Sequence, residues 1–292
     1  MHRRMTIRGT RNCALLLVLW FAGCRAMLAA PRPIAIGPGL YAYISDNDSS
    51  ANSTFLVGDK GILVVDTGLN SQEGGKLLEA IHSVSNLPIQ YVVNTHYHPD
   101  HQGANSVVAS SATVISTDFT REATRKIAAL ADKPLLPAQI TFDRKLTLHL
   151  DPYTAEVYFF GKAHTSGDAL VYFPQQRAMA MGDLFLNHSS PAMDNGSVYN
   201  WIQILNNVLG MAVDKAVPGH FELGSRDDLR RFRDYLSDLY GQVRDLRQKG
   251  KTLAQVRSQL HMEKFADFRQ YPQFEATFAD NAETIYHELE KP

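Results

Sequence analysis

The chain has 292 residues, 45% of them hydrophobic and 20% charged, a composition ordinary for a soluble protein and sufficient for one large domain with appendages. Its formal charge is −1, and losing residues 1–23, which hold Arg3, Arg4, Arg8 and Arg11 but no acid, would take it to about −5. A nucleic-acid partner is thereby disfavoured, since it would call for a basic groove that the sequence lacks.

Residues 1–30 read as a processing segment. The four arginines form a basic n-region, and Ala14 to Ala22 is an apolar run of signal-peptide length, too short to span a bilayer comfortably. Phe21-Ala22-Gly23-Cys24 resembles a bacterial lipobox with Phe where Leu is more usual, which makes Cys24 a candidate lipid attachment point and membrane tether. The alternative is ordinary cleavage near Ala29-Ala30, against which Pro31 stands just past the cut. Arg3-Arg4 adds a hint of twin-arginine export. The expectation is an exported, periplasmic protein. Both cysteines, Cys13 and Cys24, lie in this leader, so the mature chain has no thiol and no internal disulfide.

Residues 31–225 alternate short strands and helices. Leu40 to Ile44, Ser53 to Val57 and Ile62 to Val65 read as strands, the last two joined by a Gly58-Asp59-Lys60-Gly61 hairpin turn. Asp66 follows at a strand end. A carboxylate there is costly unless paired, so it is expected either to accept hydrogen bonds from the backbone or a histidine of the segment described next, or to cap a turn. Leu77, Leu78, Ile81 and Val84 give the 74–85 stretch the spacing of a helix with one buried face. Gln90 to Val93 is the next strand, completing a βαβ unit.

That strand delivers Asn94-Thr95-His96-Tyr97-His98-Pro99-Asp100-His101-Gln102-Gly103. On extended backbone His96 and His98 point to the same side and can reach one ion together. Pro99 then forces a turn that carries Asp100 and His101. Three of the chain's 11 histidines fall in this one bend, and neutral imidazole with carboxylate suits Zn²⁺, and also Fe²⁺ or Mn²⁺. A short helix over 103–109, a strand at 113–116 and a helix over 120–131 follow. The second half adds strands at 146–150, 156–160, 169–173 and 178–181 and a helix over 198–209. Its strand ends carry His164 in Gly161-Lys162-Ala163-His164-Thr165-Ser166-Gly167-Asp168, Asp183 in Met181-Gly182-Asp183-Leu184-Phe185, and His220 in Val217-Pro218-Gly219-His220.

His-x-His-x-Asp-His, followed in order by these three sites, resembles the signature of the metallo-β-lactamase-fold hydrolase superfamily, over about residues 35–225. The resemblance implies an α/β fold, an αββα four-layer sandwich, with two metal sites. His96, His98 and His164 would hold one ion, Asp100, His101 and His220 the other, and Asp183 would bridge them. Two zinc ions would share a water, ionised near neutral pH, that attacks an ester, thioester, lactone or β-lactam carbonyl, with Asp100 also handling its proton. The expected partner is a small-molecule substrate. Lacking a mature thiol, the chain departs from β-lactamase subclasses with a Cys ligand. It also has no Lys or Arg just past Asp183 to clamp a β-lactam carboxylate. An iron-dependent oxygenase such as a sulfur dioxygenase is the alternative, and a non-catalytic periplasmic metal-binding accessory protein the alternative from another class. The full second ligand set argues against a mononuclear iron site, and His98 stands where diiron oxygen-reducing relatives carry an acid.

Around the site, Asp168 reads as a turn or bracing residue. His188, in the polar loop 187–197, reads foremost as a solvated loop histidine, with donation to a substrate oxygen as the functional alternative. Tyr97, Tyr199 and Trp201 are candidate apolar walls, Trp201 being foremost helix core. Residues 226–292 form a helical extension: Leu229, Phe232, Tyr235, Leu236, Leu239 and Val243 recur at helix spacing, Thr252 to Leu260 is a second helix, and Phe274, Phe278, Ile285 and Leu289 mark a third. Packing on the catalytic domain is their expected role, ahead of dimerisation or shaping a substrate entrance. No pattern in the sequence assigns an oligomeric state.

Overall fold

A computed structural model describes residues 32–130, 135–193, 196–270 and 274–290. The expected leader, with Cys13 and Cys24, lies outside the described residues, as do Ala131 of the expected 120–131 helix and Asp194-Asn195 of the polar loop. Strands β1 (Ile34–Gly37), β2 (Leu40–Tyr43), β3 (Ser53–Val57) and β4 (Ile62–Val65) run as an antiparallel meander. The Gly58–Gly61 turn closes β3 onto β4, with Gly58 N–H donating to Gly61 O at 3.0 Å. Helix α1 (Ser71–His82), β5 (Ile89–Val93), two single-turn helices α2 (Pro99–Gln102) and α3 (Asn105–Val108), β6 (Thr113–Thr117), α4 (Asp118–Leu130) and β7 (Ile140–Phe142) follow. The seven strands lie in sequence order in one sheet, and β4 to β7 are parallel because helical segments cross between them.

The second sheet contains β8 (Lys145–Leu150), β9 (Tyr153–Phe159), β10 (Ala169–Phe173), β11 (Ala178–Gly182), β12 (Lys215–Pro218) and β13 (Gly224–Ser225). Its order runs from β13 to β8 without interruption, and only β11–β12 is parallel, the pair joined through α5 (Val198–Gly210). The chain ends in α6 (Arg226–Gln248), α7 (Leu253–Gln259), a 3₁₀ segment at Glu263–Gln270 and α8 (Phe274–Glu288). Among the described residues no helix is long and apolar enough to cross a membrane.

Period-two alternation explains the layering. Leu63 and Val65 of β4, Val93 of β5, Ala169, Val171 and Phe173 of β10 and Ala178 and Ala180 of β11 share one buried core. Their alternates in the first sheet, Ile62, Val64 and Val92, pack with Leu77 and Ile81 of α1. Those in the second, Leu170, Met179 and Met181, pack with Trp201 and Leu205 of α5 and with α6 and α8. Neighbouring side chains thus enter opposite cores, which requires a sheet covered on both faces. The result is the helix–sheet–sheet–helix order that the sequence implied. All six apolar residues read on α6 are fully buried, and Phe274 and Ile285 of α8 join them in that same core.

Among the differences from the sequence reading, two have a clear local cause. Helix α1 begins at Ser71 rather than residue 74, because the Asn70 side chain accepts from Gln72 N at 2.9 Å and Glu73 N at 3.2 Å and so caps the helix a turn earlier. Pro99 does not merely break the strand. It starts α2 at the first helical position, where no N–H is needed.

Candidate metal centre

Parallel pairing brings the chemistry together. The ends of β4 and β5 carry Asp66 and the His96–His101 bend, while the ends of β11 and β12 carry Asp183 and His220. His164 comes from the loop between β9 and β10. Two glycines make the approach feasible. Gly182 holds φ at +50°, and a Cβ there would meet the Thr95 hydroxyl at 2.5 Å; a Cβ on Gly219 would meet Asp183 Oδ1 at 1.9 Å.

All seven residues expected to bind metal converge, and they divide into two groups: His96, His98, His164 and Asp183, and then Asp100, His101 and His220. In the first, His98 Nδ1 stands 2.9 Å from His96 Nε2 and 3.2 Å from His164 Nε2. Asp183 Oδ2 lies 3.5 Å from His164 Nε2 and 4.0 Å from His96 Nε2. In the second, Asp100 Oδ2 is 3.1 Å from His220 Nε2 and 3.5 Å from His101 Nε2. Asp183 turns its other oxygen, Oδ1, to this group, 3.2 Å from His101 Nε2 and 3.7 Å from His220 Nε2. Donors bound to one tetrahedral zinc at 2.0–2.1 Å stand about 3.3 Å apart. The observed separations bracket that figure.

The fit can be tested on unsatisfied atoms. His101 Nε2 and Asp183 Oδ1 are buried and, despite their 3.2 Å approach, neither makes a hydrogen bond. Such orphans are rare and demand an explanation. A cation between them supplies one, and the all-nitrogen-and-oxygen donor set suits zinc, iron or manganese.

Hydrogen bonds behind the ligands fix which ring nitrogen faces inward. Asp66 accepts from Thr95 N–H at 2.8 Å, from the Thr95 hydroxyl at 2.7 Å and from His101 Nδ1 at 2.7 Å. The His101 proton is therefore on Nδ1, and Nε2 offers a lone pair. Because the Thr95 hydroxyl gives its proton to Asp66, its oxygen accepts from His96 Nδ1 at 3.1 Å, so His96 also presents Nε2. His164 Nδ1 donates to the Ala192 carbonyl at 2.9 Å, with the same consequence. Asp66 itself adopts φ of +58°, a strained conformation for a non-glycine residue. Asp168 accepts from Thr165 N–H at 2.8 Å and Ala163 N–H at 3.2 Å and braces the loop around His164, in keeping with the sequence reading.

Charge separates the two groups. Burial, with the neighbouring His101 adding to it, holds the His96 pKa well below the ordinary histidine value. Burial also opposes the His101 cation, but the carboxylates of Asp183, Asp66 and Asp100 override it and hold its pKa well above that value. His220 is raised in the same way, against burial, by Asp183 and Asp100. Burial works against the Asp183 carboxylate, yet His101 and His220 keep its pKa well below the carboxylate range, and Asp100 is lowered against burial by His101 and His220. The raised values of His101 and His220 favour protons on their nitrogens, and a metal there competes with them.

Other sequence expectations fare differently. Trp201 is fully buried, its indole N–H donating to Leu184 O at 3.0 Å, so it is core rather than wall. Tyr97 packs edge-on beside His98, ring centroids 4.7 Å apart. Tyr199 is 56% exposed, on the first turn of α5. His188 is neither free in solvent nor aimed at the ligands: its Nδ1 lies 2.6 Å from Asp267 and its Nε2 3.3 Å from Asp228, tying the polar loop to the C-terminal helices. Thr95 and the Ala192 carbonyl were missed. A threonine beside two histidines carries no distinguishing signal, and a carbonyl carries none.

Similarity to known proteins agrees with this geometry. Residues 46–220 match the family model of the metallo-beta-lactamase superfamily. A type 2 metallo-beta-lactamase of Elizabethkingia meningoseptica is 24% identical over 77% of this chain and 94% of its own length. The alpha subunit of the 2,4-dinitroanisole O-demethylase of Nocardioides sp. (strain JS1661) is 28% identical over 57% of this chain, which spans about half (51%) of that subunit. Among solved structures, a metallo-beta-lactamase from Pontibacter korlensis superposes with a TM-score of 0.60 at 21% identity, covering 70% of this chain and 98% of its own. The sec-alkylsulfatase Pisa1 from Pseudomonas sp. superposes with a TM-score of 0.67 at 17% identity, covering 88% of this chain and 50% of its own. With the family match spanning more than half the chain and the two sheets stacked between helices, this protein is an enzyme of the metallo-β-lactamase superfamily.

Proposed function

We propose that the chain is an exported, dinuclear zinc-dependent hydrolase whose substrate carries an ester, thioester, lactone or β-lactam carbonyl. One observation carries the reading: Asp183 directs Oδ2 into the three-histidine group and Oδ1 into the group of Asp100, His101 and His220, the arrangement a bridging carboxylate needs. Two zinc ions held by these seven residues would supply Lewis acidity, activating water near neutral pH and polarising a substrate carbonyl. The chain's own part is positional and protonic. Asp66, Thr95 and Ala192 O accept from the outward nitrogens of His101, His96 and His164, so three imidazoles turn Nε2 toward the site. Asp100, with its side chain 25% exposed and beside His220, is the carboxylate best placed to take a proton at the mouth and release it to solvent.

The β-lactamase relatives favour including a β-lactam among candidate substrates. The O-demethylase relative and the sulfatase of similar fold are named for ether and sulfate-ester chemistry, which makes those two substrate classes the controls for a carbonyl preference. The leader read in residues 1–30 supports export to the periplasm, with Cys24 as the candidate lipid anchor. The test is turnover of a chromogenic β-lactam, a lactone, a thioester, an aryl methyl ether and a sulfate ester, before and after chelation. Chelator-sensitive cleavage of a carbonyl substrate is expected. Turnover of the ether or sulfate alone, or oxygen consumption with bound iron, would overturn the carbonyl assignment.

A further inference from the structure

Asn281 is 1% exposed, on the last helix of the C-terminal extension. It donates to the Pro191 carbonyl at 2.8 Å and to the Ser190 hydroxyl at 3.0 Å, and Ser190 is also met by the buried Tyr235 hydroxyl at 2.9 Å. The next carbonyl along, that of Ala192, is the one that accepts from His164 Nδ1. Three residues on in α8, the Thr284 hydroxyl donates to Met193 O at 3.3 Å. Four further on, Glu288 accepts from the Ser197 hydroxyl at 2.5 Å and from Val198 N–H at 2.9 Å. Ser197 N–H in turn donates to Ala163 O at 2.9 Å, the residue preceding His164. Positions 281, 284 and 288 lie on one face of a helix. That face therefore grips both chain segments that flank His164.

We propose that α8 positions the metal ligand His164: Asn281, through Ser190 and the Pro191 carbonyl, holds the loop whose next carbonyl, that of Ala192, sets its tautomer and ring plane, and Glu288, through Ser197, holds the backbone that precedes it. The proposal rests on reading His164 as a ligand. Asn281 and Glu288 are positioning residues, since neither reaches the ligand atoms. The physical basis is that an imidazole ligand is oriented by the partner of its other nitrogen, and losing such a partner weakens metal binding about 10–100-fold. Here the partner is a backbone carbonyl on an irregular loop, so its place depends on whatever holds that loop.

The test compares the full mature chain with Asn281→Ala, Glu288→Ala and Ile285→Ala, the last a core truncation of the same helix that breaks no hydrogen bond. Zinc affinity is measured by competition with a chromophoric chelator, and the His164 tautomer by ¹⁵N NMR of the metal-free protein. Running the same variants in a His220→Ala background isolates the three-histidine pocket. Asn281→Ala and Glu288→Ala, which remove relayed rather than direct support, are expected to weaken that pocket by up to about 10-fold, the lower end of the range for a direct partner, and to mix the His164 tautomers. Ile285→Ala should lower the melting temperature and leave affinity unchanged. If Asn281→Ala does not fold, Glu288→Ala decides. Variants that bind zinc as the parent does, with an unchanged tautomer, overturn the inference. A parent chain in which the three-histidine pocket takes up no zinc would instead defeat the ligand assignment itself.

Discussion

The candidate ligands on the His96–His101 bend and the candidate ligand His164 rest on different supports. His101, His96 and the bend between them are braced by Asp66, one residue past β4 in the neighbouring parallel strand, so that support is part of the first sheet. His164 sits on a loop whose restraint comes from Ala192 O and, through Pro191 and Ser197, from a helix some 90 residues further along. The difference teaches that a site legible as one compact motif can still depend on distant packing. The C-terminal extension shares its core with β10, β11 and α5, so its removal would expose that core as well as free the loop.

Asp183 joins the two groups, and its loss should have the largest effect. Asp183→Ala is expected to weaken zinc binding in both pockets by more than the roughly 100-fold upper range for losing an outer partner, and to abolish hydrolysis. Isothermal titration with zinc checks it, and loss from one pocket only would show that the carboxylate does not bridge. Asp66→Asn comes next. An amide cannot accept from Thr95 N–H, the Thr95 hydroxyl and His101 together, so the second pocket should weaken about 10–100-fold. His96, touched only through Thr95, should weaken less. Equal losses in both pockets would erase the contrast between direct and relayed support.

The smallest effect concerns the loop's outer tie. Asp267 is held by Arg231, and its pKa is lowered to about 2, with the hydrogen bond to Arg231 the main cause and one to His188 adding to it. A carboxylate whose folded pKa lies below its unfolded value of about 3.9 stabilises the fold above that value, and the contribution is lost as pH falls toward 2. Both partners are over a third exposed, so solvent screening limits the contribution to under about 1 kcal/mol. Urea unfolding of the parent and of Asp267→Asn should differ slightly at pH 5 and converge near pH 2. A difference that persists at pH 2 would show that the residue acts through packing.

Much of the site was legible because its candidate ligands stand at strand ends, where an apolar run stops and a polar residue is unavoidable. His164, Asp183 and His220 each follow such a run. Asp66 was legible for the same reason, since an acid ending a buried strand needs a partner. Alternation in β4, β10 and β11 could not be read as such, because both faces are buried and the strands appear as continuous apolar runs. The 3₁₀ segment at Glu263–Gln270 has too short a repeat to show a face. The tie from Asn281 to the metal site was hidden in principle: an asparagine inside a helix reads as solvated surface unless the loop it meets is known.

The most direct measurement is zinc stoichiometry on the purified protein, by elemental analysis and by titration of the metal-free protein with proton release followed in weakly buffered solution. Two zinc ions per chain are expected, the second taken up with release of the proton held among His101, His220, Asp100 and Asp183. A single ion at saturation, bound without proton release, would contradict the two-pocket account.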